Sequence, residues 1–234
     1  MSDRSIAIIP ARGGSKRIPH KNIRDFCGRP IISYAIDAAK RCGRFEEIMV
    51  STDSEEIAEI AKKYGASVPF MRSSATAGDL ATTEDVLLEV VDEYRNRGQE
   101  FKYLTCIYPT AALIEPETIS KAIDIMAEHE PAVVIPLLQF SYPPQRAFVI
   151  GEDGYAKYDN PEHVRTRSQD LEPMYHDSGQ FYVYNVKKLI EQKGDIEDDY
   201  YPIILSEMDA QDIDNISDWQ LAEMKYKIKK GSLD

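Results

Sequence analysis

Cysteine is scarce and scattered: Cys27, Cys42 and Cys106 are the three in 234 residues. No two form a CxxC pair, so neither a zinc site nor a disulfide framework is indicated, and the pattern fits a reducing cytoplasm, the expected location. Long apolar runs are missing as well. No stretch reaches the roughly 20 residues that span a bilayer, and Met1 gives way to a strand-like segment too soon for a signal peptide. No membrane partner is expected. Positive charge is in deficit: 28 Lys and Arg face 40 Asp and Glu, a formal net charge of −12. Nucleic-acid binders need a basic face to displace counterions from phosphates, so that class is excluded. Cations that matter must act locally.

They do so near the N-terminus. Residues 5–22 run from an apolar strand, Ser5 to Pro10, into Ala11-Arg12-Gly13-Gly14-Ser15-Lys16 and on to Lys21-Asn22. Gly13 and Gly14 can take positive φ and bring backbone N–H groups to phosphate oxygens without a Cβ in the way. Arg12 offers a planar fork to two oxygens, and Lys16 and Lys21 act as point charges on flexible stems. The combination is the chemistry of a nucleoside triphosphate cradle, although the spacing is neither GxxxxGK[ST] nor GxGxxG. The bland alternative is a glycine turn with solvated cations, and Arg17 is read as such a surface residue.

Apolar strands alternate with helical patterns: Ile6 to Pro10 then Ile31 to Arg41, Ile48 to Ser51 then Glu55 to Tyr64, Tyr103 to Tyr108 then Pro116 to His129. Thr83 to Arg95 adds a further helix. Such alternation predicts one α/β domain over residues 1–234, built on a mostly parallel sheet with both faces covered. Asp53 serves as the start signal of the second helix, or its carboxylate and the hydroxyls of Ser51 and Thr52 hydrogen-bond a ribose. Ligands in such sheets sit beyond the carboxyl ends of the strands. From about 137 to 180 the rhythm breaks into a Pro- and Tyr-rich excursion with short β-like runs at Ala147 to Ile150 and Tyr155 to Tyr158. Phe181 to Tyr184 and Ile203 to Leu205 return as strands. Ser217 to Lys230 closes as a helix whose Lys225, Lys227, Lys229 and Lys230 complement the helix dipole in solvent. No internal repeat is present.

Asp212-Ile213-Asp214 places two carboxylates on the same side of an extended segment, close enough to share a cation. Hard oxygen donors beside a triphosphate point to Mg²⁺, which keeps waters and bridges phosphates. Asp195, Asp198, Asp199 and Asp209 are read as solvated. His176 beside Asp177 is either a general base or a structural pair, with a binding role preferred.

The phosphate-loop signature with Lys21-Asn22, together with Val50-Ser51-Thr52-Asp53, Tyr108-Pro109-Thr110 and Asp212-Ile213-Asp214 in order, resembles the cytidylyltransferases that activate nine-carbon acidic sugars. The likeness covers nearly the whole chain. Gln145-Arg146-Ala147 and the run Tyr175 to Tyr182 look most like the branch handling pseudaminic acid. The resemblance implies a Rossmann-like, GT-A-like nucleotide-diphospho-sugar transferase fold and a homodimer in which the excursion is an arm reaching the neighbouring cleft. Its substrates would be CTP and a nonulosonic acid. It implies phosphate chemistry at Arg12, Lys16 and Lys21, and nucleotide contacts from Ala11, Gly13, Gly14, Ser15, Asn22, Arg72 and Thr82 or Thr83. Sugar contacts fall to Tyr108, Gln145, Arg146, His176, Asp177 and Gln180, and Mg²⁺ to Asp212 and Asp214. Tyr108 stands where sialic acid enzymes carry Gln, and His176-Asp177-Ser178 where they show Arg and Asn, which favours a bis-acetamido sugar over N-acetylneuraminate. A cytidylyltransferase for another nonulosonic acid (legionaminic or N-acetylneuraminic acid), a non-catalytic CTP-binding module and a transferase using another triphosphate or a sugar phosphate are the competing readings.

Overall fold

A computed structural model describes residues 4–231. The chain opens with β1 (Ser5–Pro10), the hairpin pair β2 (Asp25–Phe26) and β3 (Arg29–Pro30), and α1 (Ile32–Cys42). There follow β4 (Glu47–Ser51), α2 (Glu55–Lys63), the one-turn α3 (Ser74–Ala77), α4 (Thr83–Asn96), β5 (Tyr103–Ile107) and α5 (Pro116–His129). After β6 (Val133–Gln139) an excursion carries β7 (Phe148–Ile150) and β8 (Ala156–Tyr158), and β9 (Tyr175–Asp177) brings the chain back. β10 (Phe181–Asn185), α6 (Val186–Glu191), β11 (Tyr200–Ile204) and α7 (Ile216–Lys230) complete it.

Seven strands form the main sheet in the order β11-β6-β10-β5-β1-β4, with β9 also paired to β6. β4, β1 and β5 run parallel, as do β6 and β11, while β10 is antiparallel to both neighbours and β9 to β6. The sheet is therefore mostly parallel in direction, as the strand–helix alternation predicts. β1 explains why its sequence is a continuous apolar run. Ala7 and Ile9 face α1 and α5 in one core, and Ile6 and Ile8 face α4 and α6 in another. A strand covered on both faces has no polar side to show. Truncating one of these fully buried isoleucines to Ala removes about 2–5 kcal/mol.

A third, smaller core positions the chemistry. Phe26 on the β2–β3 hairpin meets Trp219 and Tyr226 of α7 edge to face, with centroids 5.6 and 5.7 Å apart. Ile18 and Ile213 are sealed into the same cluster. α7 thus clamps the phosphate loop's exit and the Asp-Ile-Asp segment onto one end of the sheet.

Several expectations need correction. The region from Val133 to Gln139, partly assigned to the excursion, is an interior strand despite Pro136. The departure from the sheet spans 140–174, since Leu137 to Gln139 pair with Tyr175 to Asp177. α6 had no separate expectation, and the last strand starts earlier, at Tyr200. Ser54, not Asp53, caps α2, its hydroxyl accepting from Ile57 N–H at 3.4 Å. The lysines of α7 are not all solvated. Lys229 donates to the Leu113 carbonyl at 3.0 Å and pairs with Glu115 and Asp209 at 3.0 and 2.7 Å. Asp199, too, is engaged, accepting from Lys188 Nζ at 2.6 Å and from Ala132 N–H at 3.0 Å.

Candidate active site

The carboxyl ends of β1, β4 and β5 open onto a cleft of about 790 Å³. Arg12, Ser15, Lys16, Lys21, Asn22, Arg72, Thr82, Thr83, Tyr108, Asp177, Asp212 and Asp214 all line it. These residues come from segments far apart in sequence, brought together by the parallel strands ending at one edge. Ala11 sits behind the lining as a buried link, its N–H donating to the Ser51 carbonyl at 2.9 Å.

The phosphate loop differs from expectation in one physical respect. Neither Gly13 nor Gly14 adopts positive φ. Gly13 is instead needed for close approach, because a Cβ there would lie 3.1 Å from Ser54 Cβ. Its N–H donates to Asp53 Oδ1 at 2.8 Å, so Asp53 braces the loop. Asn22, buried, donates from Nδ2 to the Arg12 carbonyl at 2.9 Å. The backbone carrying Arg12 is therefore held from two sides.

The acidic pair is built by helix capping. Asn215 and Asp218 form a reciprocal capping box at the start of α7, and Asp218 Oδ2 also accepts from Asp214 N–H at 2.9 Å. Ile213 is buried between the two acids. Lys21 Nζ donates to the Ile213 carbonyl at 2.8 Å. Burial pulls the Lys21 ammonium below its ordinary value, with the charges of Asp214 and Asp212 opposing. Desolvation, then the charge of Asp214, pushes Asp212 above the usual carboxylate range. Gly179 has φ +63, and a Cβ added there would come 3.3 Å from Asp212 Cγ. That glycine escaped the sequence reading as a site residue; Arg17 is exposed, as expected, and pairs with Asp214 at 2.9 Å at the rim of the cleft.

Arg72 closes the far wall. Its buried guanidinium donates from Nε to Ser51 Oγ at 3.1 Å and from Nη2 to the Ser51 carbonyl at 2.7 Å. Thr82 caps α4, accepting from Asp85 N–H at 3.1 Å, and Thr83 Oγ1 lies 2.9 Å from the Tyr108 hydroxyl. Beyond Tyr108 a side chamber of about 320 Å³ opens, sharing Thr83, Tyr108, Asp177 and Tyr182 with the cleft. Tyr182 donates to Asp177 Oδ2 at 2.7 Å and Tyr184 to Glu84 Oε1 at 2.9 Å. Burial pushes the Tyr108 phenol up to about 12, and Tyr182 and Tyr184 also upward, so all three remain hydroxyl donors.

Gly13 and Gly14, like Ala11, are not among the lining residues, and four of the six predicted sugar-binding residues do not line the cleft either. Gln180 is buried, its amide donating to the Ser178 and Gly179 carbonyls at 3.0 and 3.2 Å, where it props the loop over Asp212. His176 packs on Phe140 with centroids 4.7 Å apart. Gln145 Nε2 donates to the Glu172 carbonyl at 2.9 Å and Arg146 to Ser168 Oγ at 3.2 Å, both within the excursion. There the apolar side chains of Tyr142, Phe148, Ile150 and Tyr155 are exposed.

Among the described residues no three or more His, Cys, Asp or Glu side chains converge on one metal-sized site. The Asp212–Asp214 pair fits a hard divalent cation bound by few protein ligands, the habit of Mg²⁺ beside phosphates. Desolvation, and after it the charge of Asp214, disfavours the Asp212 carboxylate, and a bound cation would offset both. Among the described residues no helix is long and apolar enough to cross a membrane.

The chain is similar to known proteins along nearly its whole length. A family model described as cytidylyltransferase matches residues 6–222. The chain is 36% identical over 229 residues to a pseudaminic acid cytidylyltransferase of Campylobacter jejuni, covering 98% of this chain and 99% of that one. It is equally 36% identical, over 241 residues, to a CMP-N,N'-diacetyllegionaminic acid synthase of Legionella pneumophila, covering 98% and 99%. Among solved structures, a CMP:2-keto-3-deoxy-manno-octonic acid synthetase complexed with CTP superposes with a TM-score of 0.69 at 17% identity, over 97% of this chain and 99% of that one.

Proposed function

The chain belongs to the cytidylyltransferase family and is a nucleotidyltransferase, and from that premise we propose that it transfers CMP from CTP to the anomeric hydroxyl of a nonulosonic acid, pseudaminic acid first among them. The observation carrying this reading is the convergence of Arg12, Lys16 and Lys21 with Asp212 and Asp214 in one cleft. The sugar hydroxyl attacks the α-phosphorus, an O–P bond forms, the bond to the departing β-phosphate breaks, and the hydroxyl proton is lost. Arg12, Lys16 and Lys21 neutralise the charge that moves onto the leaving pyrophosphate, preorganised electrostatic stabilisation with no covalent intermediate. Mg²⁺ bound by Asp212 and Asp214 would polarise phosphate oxygens and acidify the attacking hydroxyl.

Gly13, Gly14 and Ser15 shape the polyphosphate loop, with Ala11 and Asn22 holding its backbone. Arg72 and the hydroxyls of Thr82 and Thr83 match part of the cytosine edge, which offers a carbonyl and ring nitrogen as acceptors and an amine as donor. Tyr108 and Asp177 face the sugar, supported by Gln180 and His176. Gln145 and Arg146 serve the neighbouring subunit's sugar site in a homodimer. Their distance from the cleft lining of their own chain and the exposed apolar surface around them support that assignment.

Both relatives share 36% identity with this chain, and Tyr108, Gln145, Arg146, His176 and Asp177 together favour pseudaminic acid. Incubation with CTP, Mg²⁺ and a panel of nonulosonic acids, with mass detection of CMP adducts, tests it. Faster turnover of N-acetylneuraminate than of pseudaminic acid would reject the sugar assignment. Pyrophosphate release across the four common triphosphates separates CTP use from a different nucleotide or from binding without turnover.

A further inference from the structure

The cations of the phosphate loop are already engaged by a carboxylate from a distant part of the chain. Asp79 Oδ1 lies 2.9 Å from Arg12 Nη1 and Asp79 Oδ2 lies 2.5 Å from Lys16 Nζ. Each oxygen thus takes one cation, as two oxygens of a phosphate would. Arg12 Nη1 also reaches the neighbouring Gly78 carbonyl at 3.5 Å. Lys16's hydrogen bond and charge hold the Asp79 carboxyl below the usual range.

The segment bearing Asp79 is tethered at both ends and loose between them. On one side the Glu89 carboxylate accepts from Ser73 N–H at 2.9 Å, from Ser73 Oγ at 2.7 Å and from Thr76 Oγ1. On the other, Thr82 and Asp85 form the reciprocal capping box of α4. Between these anchors lie Gly78, Asp79, Leu80 and Ala81, and Leu80 is 97% exposed. A Cβ added at Gly78 would meet nothing within 4 Å. The strap can shift without unpacking a core.

We propose that Asp79 is a built-in competitor for phosphate, occupying Arg12 and Lys16 until a polyphosphate displaces it, and thereby selecting triphosphate over monophosphate. This rests on the nucleotide-transfer reading above and adds a determinant to it. A monophosphate offers a single phosphoryl group to two cations that already share a carboxylate. A triphosphate carries further anionic groups beyond the first, and these can hold both cations while the strap moves aside. Once displaced, Asp79 remains tethered nearby, and its repulsion weakens whatever anion has replaced it. Because both ion pairs are largely exposed, the competition is worth little per pair and should tune affinity rather than abolish it.

The test is calorimetric titration of the wild type, Asp79→Asn and Asp79→Glu with inorganic pyrophosphate, CTP and CMP at fixed ionic strength and Mg²⁺. Asp79→Asn should bind pyrophosphate and CTP roughly threefold to tenfold more tightly, the range for losing exposed ion-pair competition. CMP affinity should rise less, and Asp79→Glu should stay near the wild type. Unchanged or weaker pyrophosphate binding by Asp79→Asn overturns the competitor role. Equal tightening of CMP and CTP overturns the selection. Wild-type protein that binds pyrophosphate but forms no CMP adduct with any sugar would defeat the transfer reading while leaving the Asp79 comparison measurable.

Discussion

The two halves of the cleft solve recognition by different physics. The cationic half gathers Arg12, Lys16, Arg17, Lys21 and Arg72, each held by a partner within the chain. The side chamber has no cation in its lining; tyrosines, Glu84, Asp177 and the aliphatic faces of Val133, Ile135 and Ile196 form it. Charge at close range grips an anion of any detailed shape and favours a moving negative charge. Hydroxyl–carboxylate pairs in a half-buried chamber discriminate by hydrogen-bond partners, since a group left unpaired there is penalised. An acidic chain of net charge −12 brings five cations to one half of the cleft and none to the chamber beside it.

The sharpest way to break this contrast is to disarm the cationic half. Arg12→Ala or Lys21→Ala should lower turnover on the order of 10²-fold, the usual loss of one preorganised donor to developing charge. Circular dichroism should show the fold retained. Turnover near wild type at saturating CTP in either variant would remove the loop from the mechanism.

Next in size is the acidic pair. Asp212→Asn and Asp214→Asn should each raise the Mg²⁺ concentration needed for half-maximal rate, and the double variant should be inactive. Activity of the wild type that persists in EDTA would dismiss the metal role.

The chamber should respond differently. Tyr184→Phe removes the hydroxyl that Glu84 accepts, a bond of about 0.5–1.5 kcal/mol, so the sugar KM should rise about twofold to tenfold while the CTP KM stays put. Equal effects on both constants would erase the division between the halves.

The smallest effect is on stability. Asp212 has a raised carboxyl pKa, so the native state binds that proton more tightly than the unfolded chain. Its ionisation therefore costs stability as pH rises from the ordinary carboxylate pKa through the raised one, and the cost is fully present at neutral pH. Asp212→Asn should raise Tm by roughly 1 °C near pH 7, a small gain because the carboxylate is only partly shielded and solvent still screens it, and the gain should vanish at pH 3. A lower Tm at pH 7 would show the carboxylate to be structurally required.

Much of the cleft was legible in order along the chain. Gly-rich loop, cations and Asp-Ile-Asp segment each announce their chemistry through residue type and spacing, and the helices α1, α2, α4 and α5 fall within a residue or two of the periodic patterns. The misses share a cause. β6 contains Pro136, which argues against an interior strand, yet the Pro136 carbonyl still accepts from Ser178 N–H at 3.1 Å. Asp79 sits in Ala-Gly-Asp-Leu with no local signature. Lys229 reads as a solvated helix end because nothing nearby in sequence shows Leu113 and Asp209 arriving beside it.

What the sequence determined by itself was local. Apolar runs in β1 and β5, capping residues such as Thr82 and Asn215, and loop composition specify elements because hydrophobic periodicity and backbone hydrogen-bond demand act within a few residues. Only the tertiary structure decided which charge faces which. Lys21 meets the Ile213 carbonyl across 192 positions, and Lys16 meets Asp79 across 63. Electrostatic energy depends on separation in space and on local dielectric, quantities that chain order does not carry. Which partner holds each cation therefore emerges only when the strands have aligned their ends.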